Sequence, residues 1–257
     1  MPSSDTRLRK TMLDACHILD SQRLLHAYGH VSARSADGKT ILITPRKGPG
    51  LLRSPHEILR MDLDGKRVPD RKGTAKLSKR LAATLQLPLE VFLHTEIYRA
   101  RPDVIAISRF HGMSANVLSV LRRTLRPVHE LAVPIGREVP LFDTPELISS
   151  PAVGRRLVAA LGSARALLLR GNGQLAVGTN REAAIEEATV NAILLETTAE
   201  MQWRALAIGE PAWIAGDELS GEFTKLANRE YEAILRPWEY YLHQSLKSEP
   251  RLSAREH

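Results

Sequence analysis

The sequence is poor in cysteine and in aromatic residues. Cys16 is the single cysteine among 257 residues, so no disulfide can form within the chain and nothing indicates an oxidising compartment. Aromatic residues make up 5% of the chain. Binding of single-stranded nucleic acid requires aromatic residues interleaved with a stripe of basic ones, and the sequence has no such stripe. We therefore interpret the net charge of +7 as solvated basic faces that attract small anionic substrates, and we expect no nucleic-acid partner.

Long apolar runs are absent as well. No stretch reaches the roughly 18 apolar residues that a membrane-spanning helix needs. The first ten residues lack the apolar segment of a secretory signal, because Arg7, Arg9 and Lys10 interrupt it. We therefore expect a cytoplasmic globular protein without a membrane partner.

Helical and strand patterns alternate along the chain without a linker, which predicts one α/β domain over residues 1–247 and a disordered tail over 248–257. The segment 71–80 carries five cations and no acid, and it predicts an exposed loop or lid. Asp64 and Gly65 predict a tight hairpin turn.

The pattern also predicts the individual helices and strands. The predicted helices are 5–22, 88–101, 113–122, 180–206 and 222–246, the last interrupted at Pro237. The predicted strands are 40–44, 104–108, 139–142, 166–169 and 174–177, and the turn at 24–34 leads into a further strand.

Four segments in a fixed order resemble the class II aldolase/adducin family. They are the turn 29–34 (GHVSAR), the stretch 90–104 that ends in IYRARPDV, the strand that runs into Arg109-Phe110-His111, and the turn 168–173 (LLRGNG). The resemblance implies an α/β fold, a three-layer α/β/α sandwich around a mixed, mainly antiparallel sheet. It also implies a homo-oligomer, a tetramer with its sites at subunit boundaries.

The family's metal site has changed at two of its three positions. In the family, a His-x-His pair ends a strand and a later histidine in an Asn-His-Gly turn completes the site, since residues i and i+2 of a strand point the same way. The matching positions here are Arg109, His111 and Asn172. One imidazole of three cannot hold zinc in that geometry, and arginine adds a permanent cation. We therefore predict no metal and no other cofactor, with a divalent cation held weakly through His111 as the alternative.

Three further interpretations stay open from the sequence. Glu90 matches the family's acid/base carboxylate, although a glutamate in the first turn of an exposed helix is equally ordinary. His94 follows one helical turn later on the same side, either in the site or as a core or interface histidine. His111 belongs to a vestigial metal site or is only a polar residue beneath a loop.

The serines that cradle phosphate in sugar-phosphate members of the family are missing. The pattern is more similar to a branch that decarboxylates aromatic and pyridine carboxylic acids, and arginine can bind such a carboxylate through two hydrogen bonds. The substrate is therefore predicted to be a small anionic aromatic acid. The predicted substrate-binding residues are Gly29, His30, Ser32, Arg46, Lys47, His94, Arg170 and Asn172.

The sequence thus predicts a metal-independent lyase that cleaves a C–C or C–O bond, most simply by decarboxylation. Arg109 stands in for the metal, and Glu90 and His111 transfer the proton. The alternative is an inactive member of the family that serves as a binding module or partner subunit, and a weaker one is an oxygenase or sugar-modifying enzyme. An enzyme should keep Glu90, Arg109, His111 and Asn172 in a closed cluster, whereas apolar side chains would fill the site of a scaffold.

Overall fold

The computed structural model describes residues 4–70, 73–214, 218, 225 and 231–248. Within these ranges the chain alternates helices with short strands, as its periodicity predicts. The helices are α1 (Ser4–Ser21), α2 (Lys79–Thr84), α3 (Val91–Ala100), α4 (Met113–Val120), α5 (Pro151–Leu161), α6 (Ala184–Leu206) and α7 (Arg236–Ser248). The strands are β1 (His30–Arg34), β2 (Ile41–Ile43), β3 (Leu59–Met61), β4 (Ala106–Phe110), β5 (Leu141–Phe142), β6 (Ala166–Leu169) and β7 (Gln174–Gly178).

The strands form one seven-stranded sheet in the order β3-β2-β1-β4-β7-β6-β5. Neighbouring strands are antiparallel except β5 and β6, which are parallel. The prediction of a mixed, mainly antiparallel sheet is therefore confirmed. Pairing of β1 with β4 places His30 directly opposite Arg109, which brings two predicted site residues to the centre of the sheet.

Helices cover both faces of the sheet. Alternation along β4 sends Phe110 into the core beneath α1, α4, α6 and α7, and Ile107 into the core beneath α3 and α5. Arg109 lies two residues after Ile107 and so shares the face of α3 and α5. The three-layer α/β/α arrangement predicted from the resemblance is confirmed. Within the described residues, no helix is long and apolar enough to cross a membrane.

Several predicted boundaries were wrong. Strand β4 lies two residues later than predicted, so that Arg109 is within the strand rather than beyond it. The loop predicted over 71–80 contains the start of α2, whose Ser78 side chain accepts a hydrogen bond from the amide of Leu81. Helix α5 and strand β3 were not predicted. Helix α5 had a readable start, because Ser150 caps it and Pro151 follows at the first helical position.

Other local predictions were correct. The amide of Asp62 donates to the carbonyl of Lys66 at 2.9 Å, and Gly65 has a φ of +76°, as the predicted hairpin turn requires. A π-helical turn over Tyr231–Leu235 directly precedes α7, and Pro237 is the second residue of α7, so the predicted interruption falls at the junction of the two helical segments. Ser248 is the last residue of α7. Most of residues 222–230 and the whole predicted tail beyond Ser248 lie outside the described residues.

Candidate active site

Arg109 is completely buried, and its guanidinium group meets polar partners from three segments of the chain. Nη1 donates to the carbonyl of Phe110 at 2.8 Å. Nη2 donates to the carbonyl of Asn172 at 2.5 Å and to its side-chain oxygen at 3.2 Å. Nη2 also lies 3.3 Å from Oε2 of Glu90. The site is therefore built around an internal ion pair.

Glu90 lies immediately before α3 and is 6% exposed. Its Oε1 accepts a hydrogen bond from the amide of Ile148 at 3.4 Å, and its Oε2 faces Arg109 and, at 3.9 Å, Nε2 of His30. A carboxylate removed from water requires such partners. The alternative interpretation of Glu90 as an exposed first-turn glutamate is therefore wrong.

A chain of hydrogen bonds leads from His30 into the interior. Nδ1 of His30 lies 3.1 Å from Nε2 of His94, and Nδ1 of His94 lies 2.7 Å from Oγ of Ser32. Oγ of Ser32 lies 2.9 Å from the hydroxyl of Tyr98. His94 and Tyr98 are four residues apart, so both project from one face of α3. His94 and Ser32 are fully buried behind His30, and the substrate contacts predicted for these two residues do not fit that position.

The imidazoles of the site are held neutral. Burial, reinforced by the charge of Arg109, lowers the pKa of His30 to about 3. Burial and Arg109 also lower the pKa of His111 to about 4, against the opposing effect of Glu90. Burial lowers the pKa of His94 well below its usual value, and the neighbouring His30 acts in the same direction. The positive charge of the site at pH 7 therefore resides on Arg109.

His111 and Asn172 form the partly exposed rim above the buried ion pair. The ring of His111 meets the ring of Tyr28 edge-on at 6.3 Å between centroids. Its Nε2 lies 3.5 Å from Nη1 of Arg109. A ligand that enters here meets His111 and Asn172 first and reaches the guanidinium of Arg109 only beyond them.

Polar side chains fix the backbone on both sides of this rim. The amide group of Gln174 accepts from the N–H of Gly112 at 2.7 Å and donates to the carbonyl of Gly112 at 3.2 Å. The side-chain oxygen of Asn116 accepts from the N–H of Gly173 at 3.2 Å. We call the set of such residues the polar clamp; it consists of Asn116, Ser119, Gln174 and Glu196.

The other two members of the polar clamp act in the same way. Ser119 accepts from the N–H of Gly171 at 3.1 Å. Glu196, on α6, accepts from the amides of Ser114 at 2.6 Å and Ala115 at 3.1 Å, at the start of α4. None of these four residues was predicted from the sequence. Gln174 offered a signal, because it is a polar residue at the start of a strand that is otherwise apolar.

Two glycines permit close packing at the site. Gly29 has a φ of +106°, and a Cβ there would lie 2.8 Å from the carbonyl oxygen of Arg109. Gly173 has a φ of +79°, and its Cβ would lie 2.5 Å from Nη1 of Arg109. Both positions have a left-handed backbone and no room for a side chain, so both require glycine. Gly29, predicted as a substrate-binding residue, therefore brings β1 against β4.

The remaining predicted cations are not joined to this cluster. Nζ of Lys47 lies 2.8 Å from a carboxylate oxygen of Glu57, and Nε of Arg170 lies 2.5 Å from Oδ1 of Asp143. Arg46 is exposed. For Lys47 and Arg170 the prediction of a substrate carboxylate partner is corrected, because a carboxylate of the chain itself already occupies that place.

The donor set does not fit the metal site that the resemblance implies. Of the three matching positions only His111 carries an imidazole, and Arg109 donates hydrogen bonds to both oxygens of Asn172. Two other imidazoles of the site, those of His30 and His94, are hydrogen bonded to each other. In the described part of the chain, no group of three or more His, Cys, Asp or Glu side chains is arranged to hold a metal ion.

Comparison with solved structures shows the same fold. The structure of L-fuculose 1-phosphate aldolase from Glaciozyma antarctica PI12 superposes with a TM-score of 0.77. The superposition covers 95% of this chain and 90% of the other, at 20% sequence identity. At this level of identity the similarity concerns the fold alone.

Curated relatives include an aldolase and decarboxylases. A 5-methylthioribulose-1-phosphate/5-deoxyribulose-1-phosphate aldolase from Rhodospirillum rubrum is 28% identical over 85% of this chain and 90% of its own length. A 3,4-dihydroxyphthalate decarboxylase from Rhodococcus jostii is 26% identical over 78% of this chain and 81% of its own length. Decarboxylase NovR from Streptomyces niveus is 32% identical over 64% of this chain, and the match spans only 59% of NovR.

One family model accounts for most of the sequence. It is described as the Class II Aldolase and Adducin N-terminal domain, and it matches residues 10–203. The match contains every residue of the cluster, of the hydrogen-bonded chain behind His30 and of the polar clamp. The chain therefore belongs to the class II aldolase and adducin family.

Proposed function

We propose that the chain is a lyase that acts without a metal on a small aromatic or heteroaromatic carboxylic acid, most simply by decarboxylation. Arg109 takes the place of the metal, and Glu90 and His111 transfer the proton. Similarity to proteins named as decarboxylases and as an aldolase supports lyase chemistry. One of these relatives is named for an aromatic acid, 3,4-dihydroxyphthalate.

The observation that carries this proposal is the buried cluster itself. Arg109 lies within 3.5 Å of polar atoms of Glu90, Asn172 and His111. A binding module without catalysis has no need to keep a buried ion pair, which costs desolvation free energy on both sides. Apolar side chains would fill the same space at a lower cost in desolvation free energy. The polar cluster therefore favours the enzyme over the inactive partner subunit.

The reaction needs a cation where negative charge develops and a proton where CO₂ departs. When the bond to the carboxyl carbon breaks, its electron pair stays on the ring, and a proton then takes the place of CO₂. A fixed guanidinium favours that electron-rich state in a site from which water is excluded. His111, on the rim, and Glu90, beneath it, are the groups within reach to take up a proton from solvent at the rim and pass it to the ring carbon. Because Arg109 is fully buried, it acts from behind these two residues.

Sugar-phosphate cleavage is the second candidate. The aldolase from Rhodospirillum rubrum matches more of this chain than either decarboxylase does. Against it stands the absence of the phosphate-cradling serines, together with the engagement of Lys47 by Glu57 and of Arg170 by Asp143. These two cations would otherwise be natural phosphate ligands.

The test is release of CO₂ from a panel of hydroxybenzoic, phthalic and pyridine carboxylic acids, with protein treated with EDTA. Aldehyde release from sugar phosphates is measured in parallel for the second candidate. We expect Arg109→Ala to abolish CO₂ release while circular dichroism shows an intact fold, and Arg109→Gln to behave alike. Arg122→Ala, which removes an exposed arginine that pairs with Asp143, is the control with unchanged turnover. Full activity of Arg109→Ala would refute the proposal.

A homotetramer is part of the proposal. Helix α4 begins two residues after His111, and with the next residue, Leu121, it exposes a row of apolar side chains at helical spacing: Met113, Val117, Val120 and Leu121. Exposed apolar patches of this kind mark interaction surfaces, and a second copy of the chain is the partner that we propose. Light scattering coupled to size exclusion should give four times the chain mass, and Met113→Ser/Leu121→Ser should lower it. A monomeric wild type would contradict this part.

A further inference from the structure

We propose that Ser32 and Tyr98 are positioning residues that fix which nitrogen of His94, and through it of His30, carries the proton, so that His30 presents an N–H to Glu90. The inference rests on the proposed role of Glu90 in proton transfer. It concerns four groups that the proposed reaction does not otherwise use. Their hydrogen bonds run in one continuous line from the hydroxyl of Tyr98 to Nδ1 of His30, and Nε2 of His30 faces the carboxylate of Glu90 at 3.9 Å.

Only two directions of the line give the hydroxyl proton of Ser32 an acceptor, because its hydrogen-bond partners are Nδ1 of His94 and the hydroxyl of Tyr98. Each neutral imidazole has one donor and one acceptor nitrogen, so the direction chosen at Ser32 dictates the other bonds. In the first direction, Tyr98 donates to Ser32, Ser32 donates to Nδ1 of His94, and Nε2–H of His94 donates to Nδ1 of His30. Nε2–H of His30 then points at Glu90. In the second direction every bond is reversed, and His30 presents a lone pair to the carboxylate.

The distances favour the first direction at both ends. In the first direction the hydroxyl of Tyr98 donates across 2.9 Å to Ser32, whereas in the second it donates across 3.5 Å to the carbonyl of Ile105. A separation of 3.5 Å is beyond the usual range for a hydroxyl donor. At the other end, Nε2 of His30 lies 3.9 Å from Oε2 of Glu90. A lone pair there would repel the carboxylate, while an N–H is attracted to it.

Burial keeps the line intact, because a protonated imidazole would have no acceptor nitrogen to offer. His94 and Ser32 have no solvent-exposed surface, and His30 is 8% exposed. Burial lowers the pKa of both histidines and raises the pKa of the Tyr98 hydroxyl. Tyr98 therefore keeps its proton and acts as the fixed donor at the inner end.

The consequence concerns the carboxylate of Glu90. Arg109 and the amide of Ile148 approach it from two sides, and the N–H of His30 adds a third donor. The 3.9 Å gap is longer than a hydrogen bond and closes with a movement of about 1 Å, as catalytic hydrogen bonds often do when substrate binds. Ser32 and Tyr98 thereby influence Glu90 without contacting it.

Side-chain ¹⁵N NMR of the histidines tests this directly, because it reports which nitrogen carries the proton without any substrate. In the wild type we expect Nε2–H for both His30 and His94. Ser32→Ala should convert this to a mixture of the two forms, and Ser32→Thr, which keeps the hydroxyl, should restore it. The control is Ser108→Ala: Ser108 is equally buried on the neighbouring strand, and its hydroxyl has no hydrogen-bond partner among the described residues.

Kinetics supply the second readout. Ser32→Ala should lower kcat about tenfold with little change in KM, Ser32→Thr should recover it, and Ser108→Ala should leave both constants unchanged. Tyr98→Phe should shift the NMR signals and kcat in the same direction by less, since Ser32 keeps its own proton. Nδ1–H at His94 in the wild type, or Ser32→Ala signals like those of the wild type, would overturn the inference. Absence of any turnover in the wild type would refute the proposed function but not this inference, because the NMR measurement does not depend on turnover.

Discussion

Oε2 of Glu90 lies 3.3 Å from Nη2 of Arg109, and both side chains are buried on the face of the sheet that α3 and α5 cover. Each charge is therefore the main compensation for the other. Loss of one partner leaves an uncompensated charge in the interior, which typically destabilises a protein by about 3–5 kcal/mol.

This pairing predicts strong coupling between the two positions. Arg109→Met should lower the free energy of unfolding by about 3–5 kcal/mol, and addition of Glu90→Gln should restore a large part of the loss. Urea denaturation of the two single variants and the double variant forms a cycle that isolates the interaction. Additive effects would mean that the pair is not coupled.

The turn that carries Asn172 offers a matched pair of glycines. Gly171 and Gly173 both have a left-handed backbone, with φ of +64° and +79°. A Cβ at Gly171 would be 3.6 Å from Val120, an ordinary contact, whereas at Gly173 it would be 2.5 Å from Arg109. Gly171→Ala should therefore cost about 1–2 kcal/mol and Gly173→Ala clearly more. Equal melting temperatures of the two variants would contradict the packing described at Gly173.

Stability should depend on pH through the imidazole of His111. The pKa of His111 is about 4 in the folded chain against a usual value of 6.5, so the unfolded chain binds more protons between these two values. The free energy of unfolding should therefore fall as the pH drops from 6.5 towards 4, by up to about 1.4 kcal/mol per pH unit for this residue. Above pH 7 the effect vanishes.

Comparison with variants isolates that histidine from the carboxylates that also titrate in this range. Urea denaturation between pH 7 and pH 4.5 should show a shallower decline for His111→Gln than for the wild type. His243→Gln, at an exposed position of α7, is the control and should follow the wild type. A decline in His111→Gln as steep as in the wild type would argue against a neutral imidazole at position 111 of the folded chain.

Metal content separates the proposed chemistry from that of a three-histidine site. We expect elemental analysis of the purified, untagged protein to give well under one zinc, manganese, iron or cobalt per chain. The variant Arg109→His/Asn172→His restores three imidazoles at the matching positions, and we expect it to take up about one zinc per chain and to melt at a higher temperature with zinc. One equivalent of metal in the wild type would mean that other residues supply the ligands.

The sequence was sufficient for the fold because its long elements have strong patterns. Apolar periodicity identified α1 and α6, and the short apolar strands of the central sheet were found to within two residues. Helix α2 was missed for a physical reason: none of its residues is buried, so it carries no apolar stripe. Strand β3 has three residues with Arg60 at its centre. It therefore lacks the continuous apolar run of the equally short β2, and its alternation is too short to be distinguished from chance.

The site was predictable only in part. Matched positions led to Glu90, Arg109, His111 and Asn172, which the structure brings together. The sequence does not show which charged side chains form ion pairs. Lys47 and Arg170 look like free cations there, yet they pair with Glu57 and Asp143. Likewise no pattern in the sequence pointed to a bond between Tyr98 and Ser32, because these positions are 66 residues apart.

The polar clamp has an evolutionary consequence. Asn116, Ser119, Gln174 and Glu196 hold the backbone amides around the site and leave the side chains at 109, 111 and 172 unconstrained by that task. Shape and reactivity are thus encoded by separate residues. Two substitutions can therefore exchange imidazoles for a guanidinium and an amide while the surrounding backbone keeps its conformation. A new reaction can arise in this way without a change in the loops around the site.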